Sequence, residues 1–171
     1  MRITIIGAHG VGKTTLSKKL SEQLNLPVIH DVVVEAFQKG FEINETTPFE
    51  TQFWLFAKQL EVEKNTINFV ADKCLIDYSV YADVLFDDDR VKSLLSEMIK
   101  KNIRYDYVFY LPIEFTIEDD GIRSTNIEFQ KKVDERYLEL IRDWSIDHTI
   151  LTGSVEDRLS QAMAKIANSN S

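Results

Sequence analysis

The residues Gly7-Ala8-His9-Gly10-Val11-Gly12-Lys13-Thr14 constrain this chain more than any other stretch. They match G-x-x-x-x-G-K-[ST], the P-loop pattern, and both flanks suit it. Arg2 to Ile6 is a short apolar run that reads as a buried strand. After the loop, Leu16, Leu20 and Leu24 recur every four residues, one stripe of a helix. Strand, glycine loop and helix start together aim backbone N–H groups at one point, and glycine lets the backbone approach an anion closely. Gly7, Ala8, His9, Gly10, Val11, Gly12, Lys13, Thr14 and Thr15 are therefore expected to cradle a nucleotide's phosphates. Lys13 should reach the β- and γ-phosphates, and Thr14 should offer its hydroxyl to Mg²⁺.

The rest of the chain reads as alternating strands and helices. The first helix runs to about Asn25, and Leu26-Pro27 ends it. Residues 28–34 are β-branched and read as a second strand that stops at Glu35. A loop over 35–47 leads to a long helical pattern at 49–71. Residues 74–77 read as a third strand ending in Asp77. Helices are expected at 78–86 and 91–101, either side of Asp87-Asp88-Asp89. Residues 107–111 form a fourth strand stopped by Pro112. A polar loop follows over 114–126, then a helix at 127–144 and a last strand at 148–152. Gly153 turns the chain and Ser154 caps the final helix, with Asp157 three residues on. This alternation predicts an α/β domain: three layers, a five-stranded parallel sheet, and a small lid at about 114–126. Residues 1–171 read as one domain.

Ligands of such sheets bind beyond the carboxyl ends of the strands. That rule puts Glu35 and Asp77 in the same crevice as the phosphates. Asp77 is then the candidate to hold a water on Mg²⁺, which keeps much of its hydration. Glu35 is the candidate to take a proton from an acceptor hydroxyl. Gln52, Phe53 and Trp54 start the long helix, where an aromatic can stack on a base and an amide can read one.

Composition narrows the partners. A net charge of −8 argues against a broad basic surface for nucleic acid or anionic membrane. No apolar run is long enough to span a bilayer, and the first strand begins at once, so no signal peptide is expected. Cys74 is the only cysteine and sits in an apolar run, so a reduced buried thiol is expected. A soluble, cytoplasmic protein is the expectation, and a homodimer is compatible with it.

The chain resembles the small P-loop kinases, in particular the NadR-type ribosylnicotinamide kinase domain and its AAA-domain relatives, and more distantly the thymidylate and deoxynucleoside kinases. Four places carry the resemblance: the P-loop, Val33-Val34-Glu35-Ala36, Leu75-Ile76-Asp77-Tyr78-Ser79, and Glu118-Asp119-Asp120-Gly121-Ile122-Arg123-Ser124. The last is similar to the Asp-Asp-Gly-x-Arg lid segment of NadR-like domains. Tyr78 and Gln38 stand where relatives commonly carry Arg. The resemblance implies ATP as donor with Mg²⁺ as cofactor. It implies Lys13, Glu35, Asp77 and Arg123 as the catalytic set, with Arg123 closing over the transferred group as an arginine finger. It also implies that the turn bearing Arg158 lies near the adenine.

The acceptor follows from an absence. No arginine lies between Glu35 and Asp77, whereas an arginine fork is the usual grip on a monophosphate. A nucleoside-like hydroxyl is therefore expected as acceptor. The alternatives are a nucleoside monophosphate, a nucleic-acid end or modified base, or a regulatory module that binds nucleotide without turnover.

Overall fold

Ile3, Ile5 and Ile6 have no solvent exposure, so β1 (Arg2–Ile6) is buried on both faces. That is why its sequence is a continuous apolar run and not an alternation. It forms the centre of the sheet in the computed structural model, which describes residues 1–116, 121 and 124–169. β3 (Phe69–Ala71) pairs with it on one side, Arg2 opposite Phe69, and β4 (Tyr107–Tyr110) on the other, Ile3 opposite Tyr107. The outer strands are β2 (Val28–Ile29) and β5 (Thr149–Ile150). Every pairing is parallel, in the order β2-β3-β1-β4-β5.

Parallel strands need crossovers, and helices supply them. α1 (Lys13–Leu24) buries Leu16 and Leu20 and packs with α7 (Val155–Ser169). α4 (Leu75–Leu85) packs with α3 (Phe49–Asn65), α5 (Asp89–Asn102) and α6 (Ile127–Asp143). A short α2 (Val33–Gln38) follows β2. The Ser154 cap of α7 forms as expected: Asp157 N donates to Ser154 Oγ at 3.2 Å, and Ser154 N donates to Asp157 Oδ2 at 3.0 Å. Cys74 is buried, also as expected. Among the described residues, no helix is long and apolar enough to cross a membrane.

Two strands fall elsewhere than their sequence suggests, and the site depends on both. β2 stops at Ile29 and not at 34, because the Asp31 Oδ1 accepts from Val33 N at 3.0 Å and starts α2. The third strand is Phe69–Ala71, inside the stretch expected to continue the long helix, which ends at Asn65. Residues 74–77 are instead the start of α4. There Cys74 N donates to Asp77 Oδ2 at 2.8 Å, the backward half of a capping box.

Behind these strand ends lies a buried carboxylate. Glu63 accepts from Gln59 Nε2 at 2.9 Å and from the Tyr105 hydroxyl at 2.8 Å. Gln59 Nε2 also donates to Lys73 O at 2.8 Å, and the Tyr105 hydroxyl accepts from Leu75 N at 3.0 Å. Burial pushes the Glu63 carboxyl up from 4.5 to about 7. The folded state therefore holds this proton more tightly than the unfolded chain does. The resulting stabilisation is complete below pH 4.5 and is lost as pH rises through about 7. It amounts to roughly 3 kcal/mol. Glu63→Gln should flatten the fall in Tm between roughly pH 5 and pH 8. A variant with the wild-type slope would exclude Glu63 as its source.

Candidate active site

The site is assembled where β1, β2 and β3 end. β1 runs into the P-loop at Gly7. Its φ is +140°, and a Cβ there would stand 2.5 Å from Leu111 O, so only glycine lets the loop leave the sheet this close to the chain beyond β4. Lys13 opens α1, and its Nζ donates to Gly7 O at 2.7 Å and Ala8 O at 2.6 Å. The ammonium thus lies across the loop. The Thr14 hydroxyl donates to Asp72 Oδ2 at 2.7 Å. Asp72 follows β3 directly and is anchored by its own N–H, which donates to Ile29 O at 3.0 Å.

Asp72 and Lys73 are neighbours that face different cavities. Asp72 lines a cleft of about 350 Å³ with Gly10, Gly12, Lys13, Thr14 and Thr15. That volume is in the range of ligand pockets. Lys73 lines a second, smaller cavity with His9, Asp31, Asn44, Gln52 and Tyr81. There its Nζ is 4.0 Å from Asp31 Oδ1 and 4.5 Å from the centre of the Tyr81 ring. Both side chains of the pair are close to fully buried, 11% and 7% exposed, so the pair is weakly screened. Gln52 is buried and donates from Nε2 to Tyr78 O at 2.9 Å, which fixes its amide plane. This second cavity holds only about 40 Å³ of water-accessible space, so a nucleoside-sized molecule enters only as its walls part. One wall is tied: Ser124 N donates to Asn44 Oδ1 at 3.0 Å and Ser124 Oγ to Glu45 Oε1 at 2.6 Å.

Several expected residues lie where the motif requires. Gly10 to Thr15 line the larger cleft, and the Gly7 and Ala8 carbonyls hold Lys13. His9 belongs instead to the smaller cavity. Its ring lies 5.6 Å from that of Phe129, and its carbonyl accepts from Gln130 Nε2 at 2.7 Å. Of Gln52, Phe53 and Trp54, Gln52 alone lines this cavity. Phe53 is 44% exposed against Phe49 and Phe56. Trp54 packs edge-on to Phe41 with ring centres 5.0 Å apart. Helical geometry explains the split, since residues 52, 53 and 54 point about 100° apart.

Two carboxylates are not in the crevice. Glu35 lies in α2, 43% exposed, and pairs with Lys39 one turn on at 3.6 Å. It left the crevice because β2 ends six residues before it. Asp77 is fully buried in α4, accepting from the Tyr137 hydroxyl at 2.5 Å and from Cys74 N. It is a structural group of the helix packing and faces neither cavity. The Asp-then-cation pair that the resemblance put at Asp77-Tyr78 is met earlier, at Asp72-Lys73. Arg123 lies outside the described residues. Arg158 lines the larger cleft but is buried, with Val11 O and Glu114 as partners.

The residues missed by sequence reasoning are Asp31, Asp72 and Lys73. The signal for Asp72 was an apolar triplet, Phe69-Val70-Ala71, closed by a carboxylate. That for Asp31 was a short polar residue able to cap a helix inside a β-branched run.

A P-loop, a hydroxyl and carboxylate pair at its mouth, and a facing cavity with its own carboxylate define a P-loop kinase, an enzyme of phosphoryl transfer. The chain belongs to the AAA domain family, whose model matches residues 2–158. It is 25% identical over 158 residues to a deoxyguanosine kinase of Bacillus subtilis (strain 168), covering 84% of this chain and 76% of that one. Among solved structures, the deoxyadenosine kinase from M. mycoides with products dCMP and a flexible dCDP bound superposes with a TM-score of 0.76. The identity is 19%, over 98% of this chain and 99% of that one. The NadR protein in complex with NAD and AMP-PNP gives a TM-score of 0.80 at 16% identity. The match covers 98% of this chain and 48% of the NadR chain, about half its length.

Proposed function

We propose that this kinase transfers the γ-phosphoryl group of ATP to a hydroxyl of a nucleoside, with Asp31 as the proton acceptor. One observation carries the reading. The smaller cavity offers a carboxylate beside an ammonium, Asp31 and Lys73 at 4.0 Å, and no arginine lines it among the described residues. A pair of opposite charges suits a neutral hydroxyl that must lose a proton better than it suits a dianionic phosphate. The deoxyguanosine and deoxyadenosine kinases similar to this chain support a nucleoside as acceptor. Lys73 itself favours the second reading, a nucleoside monophosphate, since one cation can still hold a phosphate.

In the reaction the acceptor O–H gives its proton to Asp31 as its oxygen bonds the γ-phosphorus. The bond from that phosphorus to the bridging oxygen breaks, and ADP leaves. Lys13 and the loop amides neutralise the charge that spreads over the transferred group. Gln52 holds the acceptor's base by its fixed amide. The role of finger expected of Arg123 stays part of the proposal.

Mg²⁺ fits the donor set. Thr14 Oγ1 and Asp72 Oδ2 are hard oxygen donors held 2.7 Å apart, and Asp72 takes the role that Asp77 was expected to fill. Among the described residues no group of three or more His, Cys, Asp or Glu forms a closed metal site. A hydroxyl and one carboxylate are what an ion held mainly by phosphates and water requires. Held by Thr14 and Asp72, Mg²⁺ would supply charge neutralisation at the phosphates. The same reading places the protein in the cytoplasm, where ATP is abundant and Cys74 stays reduced.

The test is phosphoryl transfer from ATP across nucleosides, their monophosphates and short oligonucleotides. Transfer to at least one nucleoside, with the matching monophosphate poorer, is the expected result. Transfer to a monophosphate and to no nucleoside would replace this reading with the second.

A further inference from the structure

The guanidinium of Arg158, on the first turn of α7, is 1% exposed and joins three separate parts of the chain. Its Nη1 donates to Val11 O at 2.7 Å, and its Nη2 donates to Glu114 Oε2 at 2.6 Å. The same Glu114 oxygen accepts from Gly153 N at 2.9 Å. The Phe115 ring covers the group, its centre 5.0 Å from the guanidinium carbon. A charge this deep is stable only when paired and hydrogen-bonded, so the loop, the turn after β5 and the chain after β4 are locked together through it.

The lock has a direction. The Val11–Gly12 peptide is planar and trans, so its C=O and N–H point opposite ways. Gly12 sits at φ +92°, and a Cβ there would lie 3.5 Å from Arg158 Nη1. Glycine by itself fixes its backbone weakly. An outside group must therefore decide which way this peptide faces. Because Arg158 Nη1 holds the Val11 carbonyl, the Gly12 N–H of the same peptide points away from the guanidinium.

We infer that Arg158 is a positioning residue for the donor's phosphates, aiming the Gly12 amide at them through the Val11 carbonyl. It acts through the loop and does not read the nucleotide base. The inference stands on the phosphate cleft alone, so failure of the nucleoside reading leaves it intact. Glu114 is its partner in the same role. Its carboxyl is held below the ordinary range, chiefly by the hydrogen bond from Arg158, and it holds the guanidinium turned toward Val11.

Binding of ADP and of inorganic triphosphate to Arg158→Met, Arg158→Lys and Glu114→Gln, with Tm as the check on folding, tests this. Loss of a charge-assisted hydrogen bond and of the amide it aims should weaken ADP at least about tenfold in Arg158→Met. Inorganic triphosphate, which has no base, should weaken by the same factor. Arg158→Lys keeps the charge but not the fork and should fall between. The KM for the phosphate acceptor should stay within about twofold. A folded Arg158→Met that binds ADP like wild type overturns the inference. So does weaker ADP with unchanged inorganic triphosphate, which would make Arg158 a base contact. If Arg158→Met does not fold, Glu114→Gln decides. About threefold weaker binding of both ligands supports the role, and unchanged binding of both overturns it.

Discussion

Asp31→Asn is expected to lower kcat for nucleoside phosphorylation by at least about 100-fold, the low end of what a positioned general base contributes. The change is close to isosteric. Asn keeps an oxygen to accept from Val33 N, so the start of α2 should survive. What goes is the negative charge 4.0 Å from Lys73, on the carboxylate proposed to take the acceptor's proton. The other cleft is the one proposed for ATP, so its KM should change by less than about twofold. Glu35→Gln is the control. Exposed on α2 and paired with Lys39, Glu35 should be replaceable with near wild-type turnover. Should Glu35→Gln abolish transfer while Asp31→Asn leaves it intact, the assignment of roles around β2 is wrong.

The contrast between Glu35 and Asp31 shows what a single chain reveals and what it hides. The P-loop was legible because its chemistry is local: glycines, lysine and threonine stand at fixed offsets, and the flanking strand and helix are each recognisable alone. β4, α6 and α7 were legible for the same reason, as periodic or apolar runs with clear stops. β2 and β3 were not. They are two and three residues long, and β3 is buried throughout, so neither shows a period. Propensity then misled in both directions. The β-branched run at 28–34 is strand only at its first two residues and enters α2 at Val33, because Asp31 offers Val33 N a local partner that the sheet does not. The apolar run at 74–77 is helix because Asp77 reaches back to Cys74 N.

Those misplaced ends moved the site, since the rule that ligands bind at strand ends is only as good as the ends. With the ends corrected, the proposed roles pass from Glu35 to Asp31 and from Asp77 to Asp72. The rule itself holds: both replacement carboxylates follow β2 and β3 within two residues. The smaller cavity carries a cation after all, Lys73, although no arginine lines it among the described residues. Arg158 was noticed as a charge near the nucleotide, but its buried position depends on Glu114 and Phe115, which no local pattern ties to it.

The largest effect is expected at Lys13. Lys13→Ala should reduce phosphoryl transfer by at least about 1,000-fold, because catalysis of this reaction rests on positioning and charge neutralisation with little covalent help. Its two hydrogen bonds run to the Gly7 and Ala8 carbonyls, both part of the loop itself. Water can take over those carbonyls in a cleft of about 350 Å³. Alanine is the better helix former at the start of α1. The Tm should therefore move by no more than a few degrees, equivalent to about 1 kcal/mol. Lys13→Arg should not restore turnover, since a planar fork cannot take the place of a compact ammonium lying across the loop. ADP binding should weaken as well, because the ammonium meets the β-phosphate in both nucleotides. Loss of turnover together with a collapse in Tm would mean that Lys13 holds the fold and would remove the support for its catalytic role. Wild-type turnover in Lys13→Ala would remove the P-loop assignment, and with it the reading of the facing cavity as an acceptor site.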